Sequence, residues 1–179
     1  MIRRVVTGID EGTSVFVSDG VPQRTHSFTH TPGMEWSFAW KTDPDPTVGR
    51  TEGEVVTPQT TLIPPVGGTR FLFMKVPPDS AVLTPGFDPA AAGAEMFEQQ
   101  PDMAATFEPD DPRFHTTDTI DYCIVLDGEI TCELDDCEEV LLKRNDVLVQ
   151  AGTRHAWRNK SDRTALLAIV LVGASRDHA

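Results

Sequence analysis

The stretch TIDYCIVLDGEITCELDDCEEVLLKRNDVLVQ, Thr119 to Gln150, decides the fold. It divides into short runs rich in Ile, Val, Leu, Tyr and Cys, separated by Asp127-Gly128, Asp135-Asp136 and Arg144-Asn145-Asp146. Short runs of this kind between turn residues read as β-strands, and Asp-Gly between two of them is a strong hairpin signal. TALLAIVLV, from Thr164, adds a further strand after KSDR. His115 precedes this region and His155 follows it, about forty residues away. Two histidines so placed meet only if the sheet curls on itself, as in a small barrel with a polar site at its mouth.

Working outward, residues 1–76 read as a β-rich arm and first strands. VVTGI and SVFVS are expected to pair across a turn at Asp10 to Gly12. GMEWSFAWK (Gly33 to Lys41) has apolar residues at 34, 36, 38 and 40, a period of two that predicts a strand with those side chains on one face. Trp36, Phe38 and Trp40 are thus expected in the core or at a dimer contact. Thr42 to Thr60, punctuated by Pro and Gly, reads as a surface loop. TRFLFMKV follows as a strand and ends at Pro77-Pro78. Residues 77–114 form a long excursion with one short helix, N-capped by Asp88 with Pro89 in its first turn. Such an excursion is either a packed surface element or, because it delivers the chain to His115, a lid, and both readings stand. Residues 115–172 complete a single domain spanning 1–179.

Composition narrows the function. A chain of 179 residues with a formal charge of −13 is a poor ligand for nucleic acid or an anionic membrane surface. No signal peptide and no membrane span is legible, so the cytoplasm is the expected compartment. Cys123, Cys132 and Cys137 are odd in number and form no C-x-x-C pair; they read as buried small hydrophobes. Neither a G-x-S-x-G nucleophile elbow nor a phosphate-binding glycine loop is present. His26 and His30 lie in a polar segment and are expected to be solvated.

HTTDTIDYCIVLDGE and NDVLVQAGTRHAWRN together resemble the two signature motifs of the cupin superfamily, in particular its single-domain, cupin-2-like (RmlC-like) members. His115 matches the first histidine of motif one, Asp121 stands where the glutamate belongs, and Gly128 follows seven residues later. Gly152, His155 and Asn159 match motif two, and Asp146 matches the acidic residue that opens its strand. Thr117 takes the place of the second histidine, while Asn145 and Gln150 replace the usual glycine and proline. The resemblance implies an all-β double-stranded β-helix, a jelly-roll barrel with an N-terminal β arm, which often pairs as a homodimer through that arm.

The resemblance also implies a site inside the barrel for a small-molecule ligand or substrate. His115, Asp121 and His155 are the candidate catalytic and metal-ligating residues. As two imidazoles and one carboxylate they would form a facial triad for Fe, with Mn, Ni or Zn as alternatives. With no metal, His155 would act as a general acid or base oriented by Asp121. Thr117, Arg154 and Trp157 are candidate substrate contacts. Strand alternation points Tyr122 and Trp157 away from the neighbouring site residues. Arg154 and Arg158 are expected to pair with acidic residues on adjacent strands or with a substrate carboxylate. A metal-dependent oxygenase or decarboxylase, a metal-free isomerase or cyclase, and a non-catalytic metabolite-binding or sensor protein all stand as readings.

Overall fold

A computed structural model describes residues 1–49 and 53–177. The described residues form eleven strands and two α-helices. Strands β1 (Arg4–Asp10) and β2 (Thr13–Gly20) make a separate two-stranded ribbon. A six-stranded sheet follows the order β3-β4-β5-β11-β6-β9, built from β3 (Thr25–Ser27), β4 (Glu35–Thr42), β5 (Thr69–Val76), β11 (Ala165–Gly173), β6 (Thr119–Asp127) and β9 (Val147–Ala151). The facing sheet is β10-β7-β8, from β10 (Ala156–Arg158), β7 (Glu129–Glu133) and β8 (Glu139–Lys143). All pairings are antiparallel. The strand spacing predicts a sandwich or barrel, and the two-sheet, all-β architecture is the jelly roll that the resemblance implies.

The core lies between the sheets. Phe38, Val125, Ile130, Cys132 and Leu167 are almost wholly buried there. On β6 the alternation is inverted relative to a plain amphipathic strand: Thr119, Asp121, Cys123 and Val125 face in, while Ile120, Tyr122 and Ile124 face out. Period-two geometry forces the choice, since Val125 and Cys123 belong to the core and carry Asp121 in with them.

Several sequence expectations need correction. The apolar residues of β4 do not share one face. Trp36 and Phe38 enter the core, but a bulge between Phe38 and Trp40 turns Trp40 over to pair with Phe71. The 42–60 stretch is not all surface, because Val56 is buried in the core; residues 50–52 of that stretch lie outside the described residues. Cys123 and Cys132 are buried, but Cys137 is exposed, with a φ of 59° in the tight turn between β7 and β8. His26 lies in β3, and its Nε2 is 3.0 Å from the Glu95 carboxylate, which also accepts from the Thr29 and His30 amides. Strand β10 is too short to have been read from the sequence.

The 77–114 excursion holds α1 (Pro89–Gln99) and α2 (Pro101–Ala104). Asp88 caps α1 by accepting from the Ala90 and Ala91 amides, with Pro89 in the first turn, as expected. Met103 on α2 enters the core and anchors the segment that leads to His115.

Candidate functional site: a bridged histidine pair

The main chain brings His115 and His155 together. The His115 amide donates to the His155 carbonyl at 3.0 Å, and the His155 amide donates back at 3.1 Å. This isolated antiparallel bridge joins the end of the excursion to the start of β10. Antiparallel partners project side chains to the same face, so the two rings meet with centroids 4.2 Å apart and tilted by 54°. Both residues are buried.

Each ring is fixed through Nδ1. That of His155 lies 3.0 Å from the Thr153 carbonyl, and that of His115 lies 3.3 Å from the Arg113 carbonyl. A carbonyl only accepts, so in each neutral imidazole the proton sits on Nδ1 and Nε2 keeps its lone pair. Burial is the first cause that lowers the His115 pKa, to about 3. The neighbouring His155 adds to it, against the opposing pull of the Arg113 bond. Burial likewise lowers the His155 pKa, opposed by the Thr153 bond. The site is therefore a pair of neutral bases.

The loop that carries each carbonyl is itself braced. Gln150, buried on β9, donates from Nε2 to the Thr153 carbonyl at 3.0 Å and to the Thr153 hydroxyl. Gly152 takes the left-handed conformation (φ 64°) that this turn demands, and its carbonyl accepts from Arg176, which also reaches the Thr117 carbonyl. On the other side, Arg154 grips Glu108 at 2.6 and 2.7 Å and reaches Asp135 at 2.9 Å. Arg158 bonds Asp111 at 3.0 Å and Glu133 at 2.5 Å. The Phe114 ring lies beneath both guanidinium groups, 3.8 Å from that of Arg154. These contacts strap residues 108–114 onto β7 and β10, directly ahead of His115. The guanidinium of Arg154 is thus engaged by this chain's own carboxylates, and a substrate contact from it would require breaking them.

Among the remaining candidates, Trp157 borders the pair. Thr117 is buried and its hydroxyl bonds that of Thr119 at 2.7 Å. Trp157 stands edge-on to the His155 ring at 5.9 Å as part of the packing shell, and Tyr122 points outward from the barrel. Asp121 does face inward, but its Oδ1 is buried with no hydrogen-bond partner. Burial pushes this carboxyl up to about 6, although Thr119 pulls the other way. It neither orients His155, whose Nδ1 is held by Thr153, nor joins the histidines as a third ligand. Among the described residues no three His, Cys, Asp or Glu side chains converge as a metal would require. The donor set therefore does not fit the facial triad that the motifs suggest. The shorter reach of aspartate and the loss of the second histidine to Thr117 are the physical reason.

The other motif residues serve the scaffold. Asn159 is fully buried; its Nδ2 donates to the Val76 and Arg163 carbonyls, and its Oδ1 accepts from the Ser161 amide and hydroxyl. Gly128, at φ 74°, makes the β6–β7 hairpin, where a Cβ would sit 3.0 Å from Ala165. Asp146 accepts from the Lys143 amide across a turn in which Asn145 adopts φ 75°. Asparagine tolerates that conformation, so it substitutes there for glycine. Sequence reasoning missed Thr153, Arg113 and the acidic partners Glu108 and Asp111. Gln150 stood out only as an unusual residue at a proline position. Phe107, whose ring meets that of His115 edge-on at 5.1 Å, left no signal in the sequence.

Residues 103–172 match the cupin domain family model Cupin_2. The chain is similar to phomopsin biosynthesis cluster proteins C′ and D of Diaporthe leptostromiformis, at 60% identity over 47 residues, 26% of this chain and 25% of theirs. It is also similar to oryzines biosynthesis cluster protein J of Aspergillus oryzae, at 47% identity over 51 residues, 28% of each chain. The aligned part thus spans about a quarter of the length of these relatives. Among solved structures, an RmlC-like cupin with a double-stranded β-helix fold from Methanocaldococcus jannaschii is 12% identical. It covers 59% of this chain and 70% of its own, with a TM-score of 0.38. A Cupin 2 conserved barrel domain protein from Salinispora arenicola is 13% identical, covering 79% and 76% with a TM-score of 0.39. Among the described residues no helix is long and apolar enough to cross a membrane.

Proposed function

We propose that this chain is an enzyme of small-metabolite biosynthesis that moves protons at the His115–His155 pair without a metal, in the manner of an isomerase or cyclase. The observation that carries the reading is the anchoring of both Nδ1–H groups to carbonyls, which leaves two unprotonated Nε2 atoms at one buried spot. One Nε2 lone pair takes a proton from an activated carbon, and the electron pair of that C–H bond moves onto the adjacent carbonyl oxygen. The resulting imidazolium returns the proton at another atom, so nothing is oxidised or reduced. Adjacent imidazoles resist holding two protons, and the pair therefore works as a one-proton acceptor. Similarity to proteins named for the phomopsin and oryzine clusters supports a small organic substrate.

The test is proton NMR in D₂O with a panel of small ketones and oxo acids. Deuterium should enter the activated carbon at a rate indifferent to EDTA and fall at least a hundredfold in His155→Ala. An EDTA-sensitive rate would reject the metal-free reading. Saturable binding with no exchange would replace the enzyme with a metabolite-binding protein.

A further inference from the structure

Where β6 ends at Asp127, the six-stranded sheet borders a cleft of about 520 Å³, the size of a small-molecule pocket. It lies at the far end of β6 from the histidine pair, about 25 Å along the strand. Its floor is a row of directly paired residues, Glu35, Lys75, Leu166 and Asp127. Their chain neighbours Met74 and Leu167 face the core, so this row faces out. A bulge between Leu166 and Leu167 sets Leu166 opposite Asp127. Phe28 and Met34 make an apolar wall, and the turn at Gly33 closes the side toward Thr164. Gly33 has a φ of 91°, and a Cβ there would lie 3.1 Å from that of Pro77, so glycine lets the wall sit this close.

Lys75 and Asp127 flank Leu166 with opposite charges, and each has bonding capacity to spare. Nζ of Lys75 lies 2.8 Å from Oε1 of Glu35, which leaves two of its three N–H donors. Oε2 of Glu35 accepts from the Ser27 hydroxyl at 2.9 Å, so both oxygens of that carboxylate are occupied. The Asp127 carboxylate meets Arg163 at 3.4 Å with both side chains 62% exposed, a contact worth little. A simple anion in the cleft would meet Glu35 and Asp127 on either side of the lysine. A simple cation would meet Lys75 between those two carboxylates. A ligand that carries both charges satisfies each.

We infer that the cleft binds a zwitterionic α-amino acid with an aliphatic side chain. Its carboxylate rests on Lys75, its ammonium on Asp127, and its side chain on Leu166, Met34 and Phe28. Size agrees: strands about 4.8 Å apart put the Lys75 and Asp127 backbones about 10 Å apart, and side chains stand roughly perpendicular to a sheet. One hydrogen bond at each end leaves about 4 Å, close to the span between the two charged groups of an α-amino acid. Charge agrees as well. Such a ligand is neutral overall, so a chain of charge −13 does not repel it. The site shares no residue with the histidine pair and rests on nothing in the reaction proposed there.

Titration of the full, nitrogen-15-labelled chain with leucine tests it. Amide shifts should saturate in the millimolar range at Gly33, Met34, Lys75 and Thr164. 4-Methylpentanoate, which lacks the ammonium, and 3-methylbutylamine, which lacks the carboxylate, should each bind about tenfold more weakly or worse. Lys75→Met and Asp127→Asn should each weaken leucine binding to the same degree while keeping the wild-type far-UV circular dichroism. Lys75→Gln gives the same reading should Lys75→Met fail to fold. No saturable shift up to about 50 mM leucine overturns the inference. So do shifts centred on Thr153 and His155, equal binding by either half-molecule, or wild-type affinity in the folded variants.

Discussion

Gln150 and His155 donate to the same atom. The Thr153 carbonyl accepts Nε2–H of Gln150 at 3.0 Å and Nδ1–H of His155 at 3.0 Å, so the amide on β9 sets the position of the acceptor that holds the ring. In the wild type, nitrogen-15 imidazole spectra at neutral pH should show both buried histidines as the Nδ1–H form. Gln150→Leu should leave His115 unchanged and give His155 a mixture of tautomers. The variant should also lose about 1–2 kcal/mol of stability, from the buried groups left unpaired. An unmixed His155 tautomer in the variant would show that Thr153 needs no brace.

Asp121 makes a prediction with a definite sign. Its folded pKa is about 6 and its ordinary value is 3.8, so between those pH values the folded chain keeps a proton that the unfolded chain has released. Stability contributed at this site falls as pH rises through that window and is level above it. Asp121→Asn removes the effect. Urea unfolding should find the two proteins diverging from about pH 4 and the variant ahead by about 3 kcal/mol at pH 7, as an order of magnitude. Parallel stability curves would mean that the carboxylate is solvated or paired.

Asn159 ties β5, β10 and the turn before β11 through four side-chain bonds in a fully buried place. Asn159→Ala takes a donor from the Val76 carbonyl and the acceptor from the Ser161 amide, and opens a void. A loss of about 3 kcal/mol or more is expected in equilibrium unfolding. Histidine tautomers, read by the same nitrogen spectra, should not change in the folded protein.

The Arg158 clamp is testable through its partner. Burial pushes the Asp111 carboxyl up, but bonds from Arg113 and Arg158 outweigh this and bring it down to about 2. Arg158→Met should raise the Asp111 pKa and speed amide exchange over residues 108–114, while β6 and β11 stay protected. Uniform exchange in both proteins would show that Arg154 and Glu108 hold the segment alone.

Gly173 marks a contact that tolerates no side chain. A Cβ there would lie 2.0 Å from the Pro65 carbonyl oxygen, inside a backbone loop closed by Gly67 and Gly68. Gly173→Ala should therefore prevent native folding or force β11 out of register, visible as loss of cooperative thermal unfolding.

The barrel was legible because its strands are short, apolar and divided by turn residues, and each of β5, β6, β7, β8, β9 and β11 appears where that pattern puts it. The bulge in β4 was not legible, since nothing in WSFAW distinguishes a slipped register from a regular one. The histidine pairing was legible from motif spacing, and so was the role of Asn159 as a motif residue, though not what it bonds. The place of Asp121 was hidden by the same alternation that revealed the strand: period two says that it faces inward but not how far its carboxylate reaches. The acidic partners of Arg154 and Arg158 were expected only as a class. Glu108 and Asp111 lie more than forty residues upstream, and only the folded excursion brings them near.

The bridge between His115 and His155 also fixes when the site can exist. Each histidine's backbone is the other's hydrogen-bond partner, and all of β6 to β9 lies between them in the chain. Closing so long a loop is favourable only after the intervening strands have paired, because the entropy of closure is otherwise uncompensated. No shorter piece of this chain holds both rings. Any activity at the pair is consequently a readout of completed folding, and a nascent or partly unfolded molecule is chemically silent.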